Sequence, residues 1–286
     1  MKVNARHMKG VAETLMFTLY MRYRESRRPD AKISDKRYAE LVHTLDFDFS
    51  MFEDVSEGYQ LSIACRTIIF DTLTRDFLQR HPEAVVVSLG SGLDFRFERL
   101  DNGNVTWFDL DLPEVISLRK RFGEVNARCI PIASSVPELS WISRIPSNRP
   151  LLFVAEGLFM YFTPAQVYEV FSGLARYFRG AEIVLDVQSN WYNNAMKNTA
   201  PDSFMKKIAF LWQWGMDDWA ELESFDPGIQ LIEEYYQREC FGDRMPDDLK
   251  EALEGDVYTE FEQDIISKIS RIGHLRIKDA SPQEKQ

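Results

Sequence analysis

Residues 85–100 read VVVSLGSGLDFRFERL: an aliphatic run from Val85 to Leu89 enters a Gly-x-Gly turn, and a helix-like segment with two arginines follows. Gly90 and Gly92 mark backbone positions where a side chain would obstruct either a tight strand-to-helix turn or a ligand pressed against the chain. The position three beyond Gly92 is Phe95. The Gly-x-Gly-x-x-Gly fingerprint of dinucleotide sites therefore lacks the third glycine, which lets helix and strand pack closely. A nucleotide-containing ligand fits this turn, and a standard NAD site fits it less well.

Outward from this turn the chain alternates strand-like and helix-like segments, the pattern of an α/β fold. Apolar runs begin at Val85, Val105 (VTWFDLD), Ala127 (ARCIPI), Leu151 (LLFVAEG) and Glu182 (EIVLDVQ), and a further strand, ISRIGHLRIK, lies near the end. The first five show little alternation, as expected of strands covered on both faces. In TPAQVYEVFSGLARYFRG, Thr163 is the expected N-cap, Pro164 opens the helix and Gly180 terminates it. Its apolar face is Val167, Val170, Phe171, Leu174 and Phe178. DLPEVISLRKRFG likewise starts a helix at Pro113 and ends it near Gly123. Successive strand-helix units predict a parallel sheet with ligands at the carboxyl ends of its strands.

Residues 1–80 are expected to form a helical cover, because ETLMFTLYMRYRES and SIACRTIIFDTLTRDFLQ both carry helical apolar spacing. Residues 81–286 form the core domain. At about 189–226 it carries an insertion holding Trp191, Tyr192, Phe204, Phe210, Trp212, Trp214 and Trp219. That insertion reads either as a helical lid packed on the core or as a substrate pocket. The net charge of −11 repels phosphate backbones, so a small molecule is the expected partner and nucleic acid is not. No apolar run reaches the roughly 20 residues of a membrane span, and MKVNARHMKG lacks the apolar stretch of a signal peptide, so the cytoplasm is the expected location. Cys65, Cys129 and Cys240 show neither an even count nor a C-x-x-C spacing; they read as reduced, structural thiols, with no metal site.

The strand-end acids carry most of the remaining information. Asp109 and Asp111 close the second strand, and Asp111 lies 19 residues beyond Gly92, where a doubly wound nucleotide fold places a carboxylate on ribose hydroxyls. Asp111 equally suits the cap of the helix opening at Pro113. Glu156 sits at the tip of a buried strand before Gly157. It needs a partner, as a site carboxylate or as a cap or ion-pair residue.

SLGSGLDFRFERL, WFDLDLPEVISLRKRF and LLFVAEGLFMYFTPAQV, in that order, resemble the leucine carboxyl methyltransferase family, including its bacterial branch of tetracenomycin-type polyketide O-methyltransferases. The likeness runs from about Glu13 to Lys278. It implies a class I S-adenosylmethionine-dependent methyltransferase fold, Rossmann-like, with a seven-stranded sheet whose last strand is antiparallel. It implies S-adenosyl-L-methionine as cofactor and S-adenosyl-L-homocysteine as product. By the same resemblance Arg66 pairs with the methionine carboxylate, Gly90 and Gly92 face the cofactor, and Asp111 holds the ribose, with Asp109 where many relatives have Glu. Glu156 and Tyr161 lie beside the cofactor and acceptor pocket and are the catalytic candidates. Ser134 or Ser135, in ASSV, stands where relatives often have an Asp-Leu pair on adenine.

Methyl transfer from a sulfonium is an in-line displacement, so the enzyme chiefly aligns the reactants and excludes water; no metal is required. A carboxylate acceptor is ionised at neutral pH, given a pKa of about 4, whereas a phenol at about 10 needs a base. Among His7, His43, His81 and His274 none is an obvious base, and His274 reads as structural. The reading is an O-methyltransferase acting on a carboxyl group of a polyketide-like small molecule. The alternatives are methylation of a protein C-terminal carboxylate and a nucleotide-binding oxidoreductase.

Overall fold

Five apolar runs become five parallel strands in the computed structural model, which describes residues 2–123, 126–199, 204–254 and 269–279. They are β1 (Val85–Leu89), β2 (Thr106–Asp111), β3 (Cys129–Ala133), β4 (Leu151–Ala155) and β5 (Glu182–Gln188). Two more complete the sheet, β6 (Ile229–Tyr236) and β7 (Ser270–Ile277), in the order β3-β2-β1-β4-β5-β7-β6. Registers such as Val87 with Phe108 and Val87 with Phe153 fix the parallel pairs. β7 runs against its neighbours: its end lies beside the starts of both, with Gly180 N–H donating to the Ile277 carbonyl and Lys278 N–H to that of Gly228, each at 2.8 Å. The expected seven-stranded α/β sheet with an antiparallel last strand is the one observed. β6 escapes the sequence reading because IQLIEEYY interleaves glutamates at a sheet edge and never forms an apolar run.

Two compact units share the chain. One comprises Met1–Ile69, Gln188–Trp212 and Tyr235–Arg271, and the other Phe70–Val187, Gln213–Glu234 and Ile272–Gln286. In the second unit, alternate sheet positions divide the labour. Val85, Val87, Leu89, Phe108, Leu110, Phe153, Ala155, Ile183 and Leu185 pack with Val167, Val170, Phe171 and Leu174 of α6 (Pro164–Tyr177) into one apolar cluster. The intervening positions carry the buried acids Asp109, Glu182 and Asp186. α6 starts as its sequence requires: Thr163 Oγ1 accepts from Gln166 N–H, and the Gln166 side chain accepts from Thr163 N–H in return. The helix stops at Tyr177, three residues before Gly180, which adopts φ +86° and turns the chain into β5.

The first unit contains α1 (Val11–Ser26), α2 (Lys36–Thr44) and the leading part of α3 (Glu57–Arg80), which continues into the second unit. Arg22 Nε donates to Thr67 Oγ1 at 2.9 Å, joining α1 to α3. The aromatic insertion is divided between the units. In the first, Phe204 packs edge-on to Phe52 and Tyr192 stacks on Trp212; in the second, Trp214 donates to Glu221 and Trp219 to Glu234. Trp212, Trp214 and Trp219 are all buried, whereas Trp191 and Phe210 are 47% and 63% exposed. Among the described residues no helix is long and apolar enough to cross a membrane.

Candidate active site

Gly90, Asp111, Ser134 and Glu156 directly follow or end β1, β2, β3 and β4, and the registers Leu89 with Leu110 and Asp111 with Ala133 bring them to one edge of the sheet. This is the edge where ligands bind in doubly wound folds. Gly90 and Gly92 both adopt left-handed backbone, with φ +66° and +51°. A Cβ at Gly90 would come within 2.7 Å of Leu158 Cδ1, so glycine there lets the β1 turn meet the turn after β4. The amides of Gly90 and Ser91 both donate to the Leu110 carbonyl, at 2.8 and 3.1 Å.

Asp111 holds the next amides. Its Oδ2 accepts from Gly92 N–H and its Oδ1 from Leu112 N–H, each at 2.7 Å. Burial nevertheless raises its carboxyl above the ordinary range, against the lowering effect of those two bonds. Asp111 therefore does not act as a simple cap of α5 (Pro113–Arg119): it ties the glycine turn to the start of that helix. Each oxygen keeps acceptor capacity for a hydroxyl donor.

Asp109, one pleat deeper on the same strand, faces inward. Arg119 Nη2 and Trp107 Nε1 donate to its carboxylate, as does Cys129 Sγ at 3.4 Å. Arg119 does more. Its Nη1 donates to the carbonyls of Ser91, Gly92 and Asp94 at 3.2, 2.8 and 2.7 Å, and its guanidinium lies over the Phe95 ring. Sequence reasoning missed Arg119, because the run Arg119-Lys120-Arg121 gives no sign of which cation is buried; this one is 6% exposed. Within the laced turn, Ser91 Oγ is buried without a hydrogen-bond partner among the described residues.

The turn after β4 is held differently. Arg96, on α4 (Arg96–Leu100) and 4% exposed, donates from Nη2 to Glu156 Oε2 at 2.5 Å and from Nε to Asp71 Oδ1 at 2.7 Å, and it pairs with Asp94 at 3.1 Å. Arg99 binds Asp71 and Asp94 in turn. Two guanidinium groups thus face three carboxylates, and these carboxylates raise the Arg96 pKa against the opposing effect of its burial. Gly157, φ +65°, donates its N–H to Asp186 Oδ1 at 2.6 Å. Asp186, hidden inside the apolar run EIVLDVQ, was a second omission.

Ser134 donates its N–H to the Asp111 carbonyl, and its hydroxyl meets that of Ser140 at 3.2 Å; Ser135 precedes a 3₁₀ turn from Val136. Tyr161 ends the 3₁₀ turn Phe159–Tyr161, half-buried, with its carbonyl accepting from Gln213 Nε2. Arg66 is half-buried on the part of α3 that belongs to the first unit. His274 Nε2 meets Glu182 at 2.8 Å, at the start of β5 and therefore at the opposite end of the strands from the glycine turn.

The seven-stranded α/β sheet agrees with the fold of the solved structures that this chain resembles. The family model for leucine carboxyl methyltransferase matches residues 16–175. The chain belongs to the leucine carboxyl methyltransferase family. It is 31% identical over 229 residues to the tetracenomycin polyketide synthesis O-methyltransferase TcmP of Streptomyces glaucescens, covering 80% of this chain and 83% of that one. It is 25% identical to the S-adenosyl-L-methionine-dependent methyltransferase dpfgK of Gibberella zeae, with the same shares. Among solved structures, a SAM-dependent methyltransferase from Anabaena variabilis superposes with a TM-score of 0.52 at 10% identity, covering 74% of this chain and 84% of that one, a likeness of fold. The family member described here is an S-adenosylmethionine-dependent methyltransferase.

Proposed function

We propose that the chain methylates the carboxyl group of a polyketide-like small molecule. The Gly90-Ser91-Gly92 turn, Asp111, Ser134 or Ser135 and Arg66 would hold the cofactor, and Glu156 and Tyr161 would border the reacting groups. The buried, unpartnered hydroxyl of Ser91 and the desolvated Asp111 carboxylate fit a ligand that brings its own polar groups. When bound, S-adenosylmethionine supplies an electrophilic methyl on a sulfonium. Asp111 accepts hydroxyl donors without moving, because two backbone amides already fix its oxygens. Glu156 is held by Arg96 within a cluster that carries one more carboxylate than guanidinium, a setting that favours a nearby cation. Asp109, bonded to Arg119, supports the turn from behind.

The acceptor assignment rests on one observation. The residues directly after β1 to β4, GSGLDF, LPEV, SSVPE and EGLFMYFT, contain neither histidine nor lysine, so these four turns supply no imidazole or amine base for a phenol. An already ionised carboxylate needs none. TcmP, by name an O-methyltransferase of polyketide synthesis, supplies the acceptor class by likeness. The test offers the enzyme methyl-labelled cofactor with an aromatic polyketide carboxylic acid, and separately with that acid's carboxyl blocked as an amide while its phenols stay free. Label should enter only the free acid and leave as methanol in mild alkali. Alkali-stable label on the blocked compound would overturn carboxyl methylation.

A further inference from the structure

Outside the candidate site, α3 meets the 3₁₀ turn Gln237–Cys240 along matched positions of the first unit. Ser62 and Cys65 lie three apart on α3, and Gln237 and Cys240 lie three apart on the turn. Ser62 Oγ donates to Gln237 Oε1, and one step along Cys240 packs against the small buried cluster that holds Cys65. Spacing of three on a 3₁₀ turn eclipses side chains, so both contacts fall on one face of each element. The turn is held from the other side as well. Gln237 Nε2 donates to Ser270 Oγ at 2.8 Å, and Arg244, just beyond, clamps the fully buried Glu25 of α1 through bonds of 2.6 and 2.9 Å. Leu61, Cys65 and Phe241 form a small apolar core with Cys240 at its margin: Cys65 is fully buried and Cys240 half-buried.

We propose that Cys65 and Cys240 are a redox-active dithiol, which a hydroperoxide closes to an intrachain disulfide. Cys240, the accessible member, attacks the terminal peroxide oxygen; the O–O bond breaks, the alcohol or water leaves, and Cys240 becomes a sulfenic acid. Cys65 then attacks the Cys240 sulfur, the S–O bond breaks, and the thiol proton of Cys65 leaves with the hydroxide as water. Two thiols are oxidised, one peroxide is reduced, and no other reactant enters. The electrostatics favour this order. The Cys65 thiol draws the Cys240 thiol down to about 7, helped by the Lys32 charge and opposed by burial, while Cys240 in turn keeps Cys65 protonated. Cys129 is an internal control, because burial and the adjacent Asp109 push its thiol up.

The experiment treats reduced, folded protein with a small excess of hydrogen peroxide, blocks remaining thiols with iodoacetamide and maps the peptides by mass spectrometry. The Cys65 and Cys240 peptides should appear joined and lighter by two hydrogens, with Cys129 alkylated. Before oxidation, Cys240 should alkylate faster than Cys129 by at least about tenfold. In Cys65→Ser, checked for unchanged thermal unfolding, oxidation should stop at a Cys240 sulfenic acid that dimedone captures. Recovery of Cys65 and Cys240 as separate alkylated peptides after peroxide, or a Cys240 bridge between two chains in place of the intrachain one, would overturn the proposal.

Discussion

The turns after β1 and β4 are built from the same parts and held by different physics. Each has left-handed glycine, each donates a glycine amide to an aspartate, and each is anchored by a buried arginine. In the β1 turn, Arg119 bonds carbonyls, so its grip on the backbone is on neutral acceptors. In the β4 turn, Arg96 bonds the carboxylate of Glu156, so the fixing depends on charge. The first arrangement suits an invariable cradle. The second suits a group whose charge is itself part of the chemistry.

The sharpest way to break the comparison is Arg119→Met, which leaves Asp109 buried and without its cation. A loss of about 3–5 kcal/mol in folding stability is expected, as for other buried pairs with one partner removed. The double variant Asp109→Asn with Arg119→Met removes both charges and should recover much of that stability by chemical denaturation. It does not restore the carbonyl bonds, so its affinity for S-adenosylmethionine by calorimetry should remain at least about tenfold down, equivalent to 1.4 kcal/mol. Wild-type affinity in the double variant would mean that Arg119 serves folding alone.

Glu156→Gln should act on the other turn and act differently. Arg96 keeps Asp71 and Asp94, so the expected stability loss is smaller, about 1–3 kcal/mol. The effect should appear in kcat, with cofactor affinity much less changed. An unchanged kcat would make Glu156 an ion-pair residue only. Asp111→Ala should instead weaken cofactor binding by about 1–3 kcal/mol through lost charge-assisted bonds. Its pH dependence sharpens the point. Burial raises the Asp111 carboxyl, and hydroxyl donors favour the ionised form, so affinity should be full at neutral pH and fall as pH drops through that raised value. The fall should begin above the range of an ordinary aspartate, and Asp111→Asn should bind weakly without that pH dependence.

What was legible in the sequence follows from the same contrast. A residue directly after a strand is placed by local order, so Gly90, Asp111, Ser134 and Glu156 could be put at one edge from pattern alone. The residues that fix them come from elsewhere: Arg119 reaches back 28 positions to Ser91, and Arg96 reaches 60 positions to Glu156. Such partners leave no periodic signal, and a buried arginine looks like any surface cation. Asp186 is masked by the apolar residues around it, and β6 by its exposed glutamates. The pairing of Cys65 with Cys240 was invisible for the same reason, since only folding brings α3 and the 237–240 turn together.

The smallest expected effect lies at the far end of the strands and tests whether charge there is scaffold alone. Glu182 takes Arg80 at 2.8 Å and His274 at 2.8 Å, and these bonds hold its carboxyl down to about 2 although burial alone would raise it. The folded pKa lies below the unfolded value of about 4.3, so this cluster stabilises the fold above pH 4.3 and the contribution fades as pH falls from there toward 2. Glu182→Gln keeps a hydrogen-bonding side chain and removes the charge, for an expected loss of about 1–2 kcal/mol near neutral pH. The gap between wild type and variant should close on acidification, measured by urea unfolding at a series of pH values. Cofactor affinity at neutral pH should be the same in both. A gap that persists undiminished down to pH 2 would assign the loss to packing, and a drop in cofactor affinity would show that the two ends of the strands are coupled.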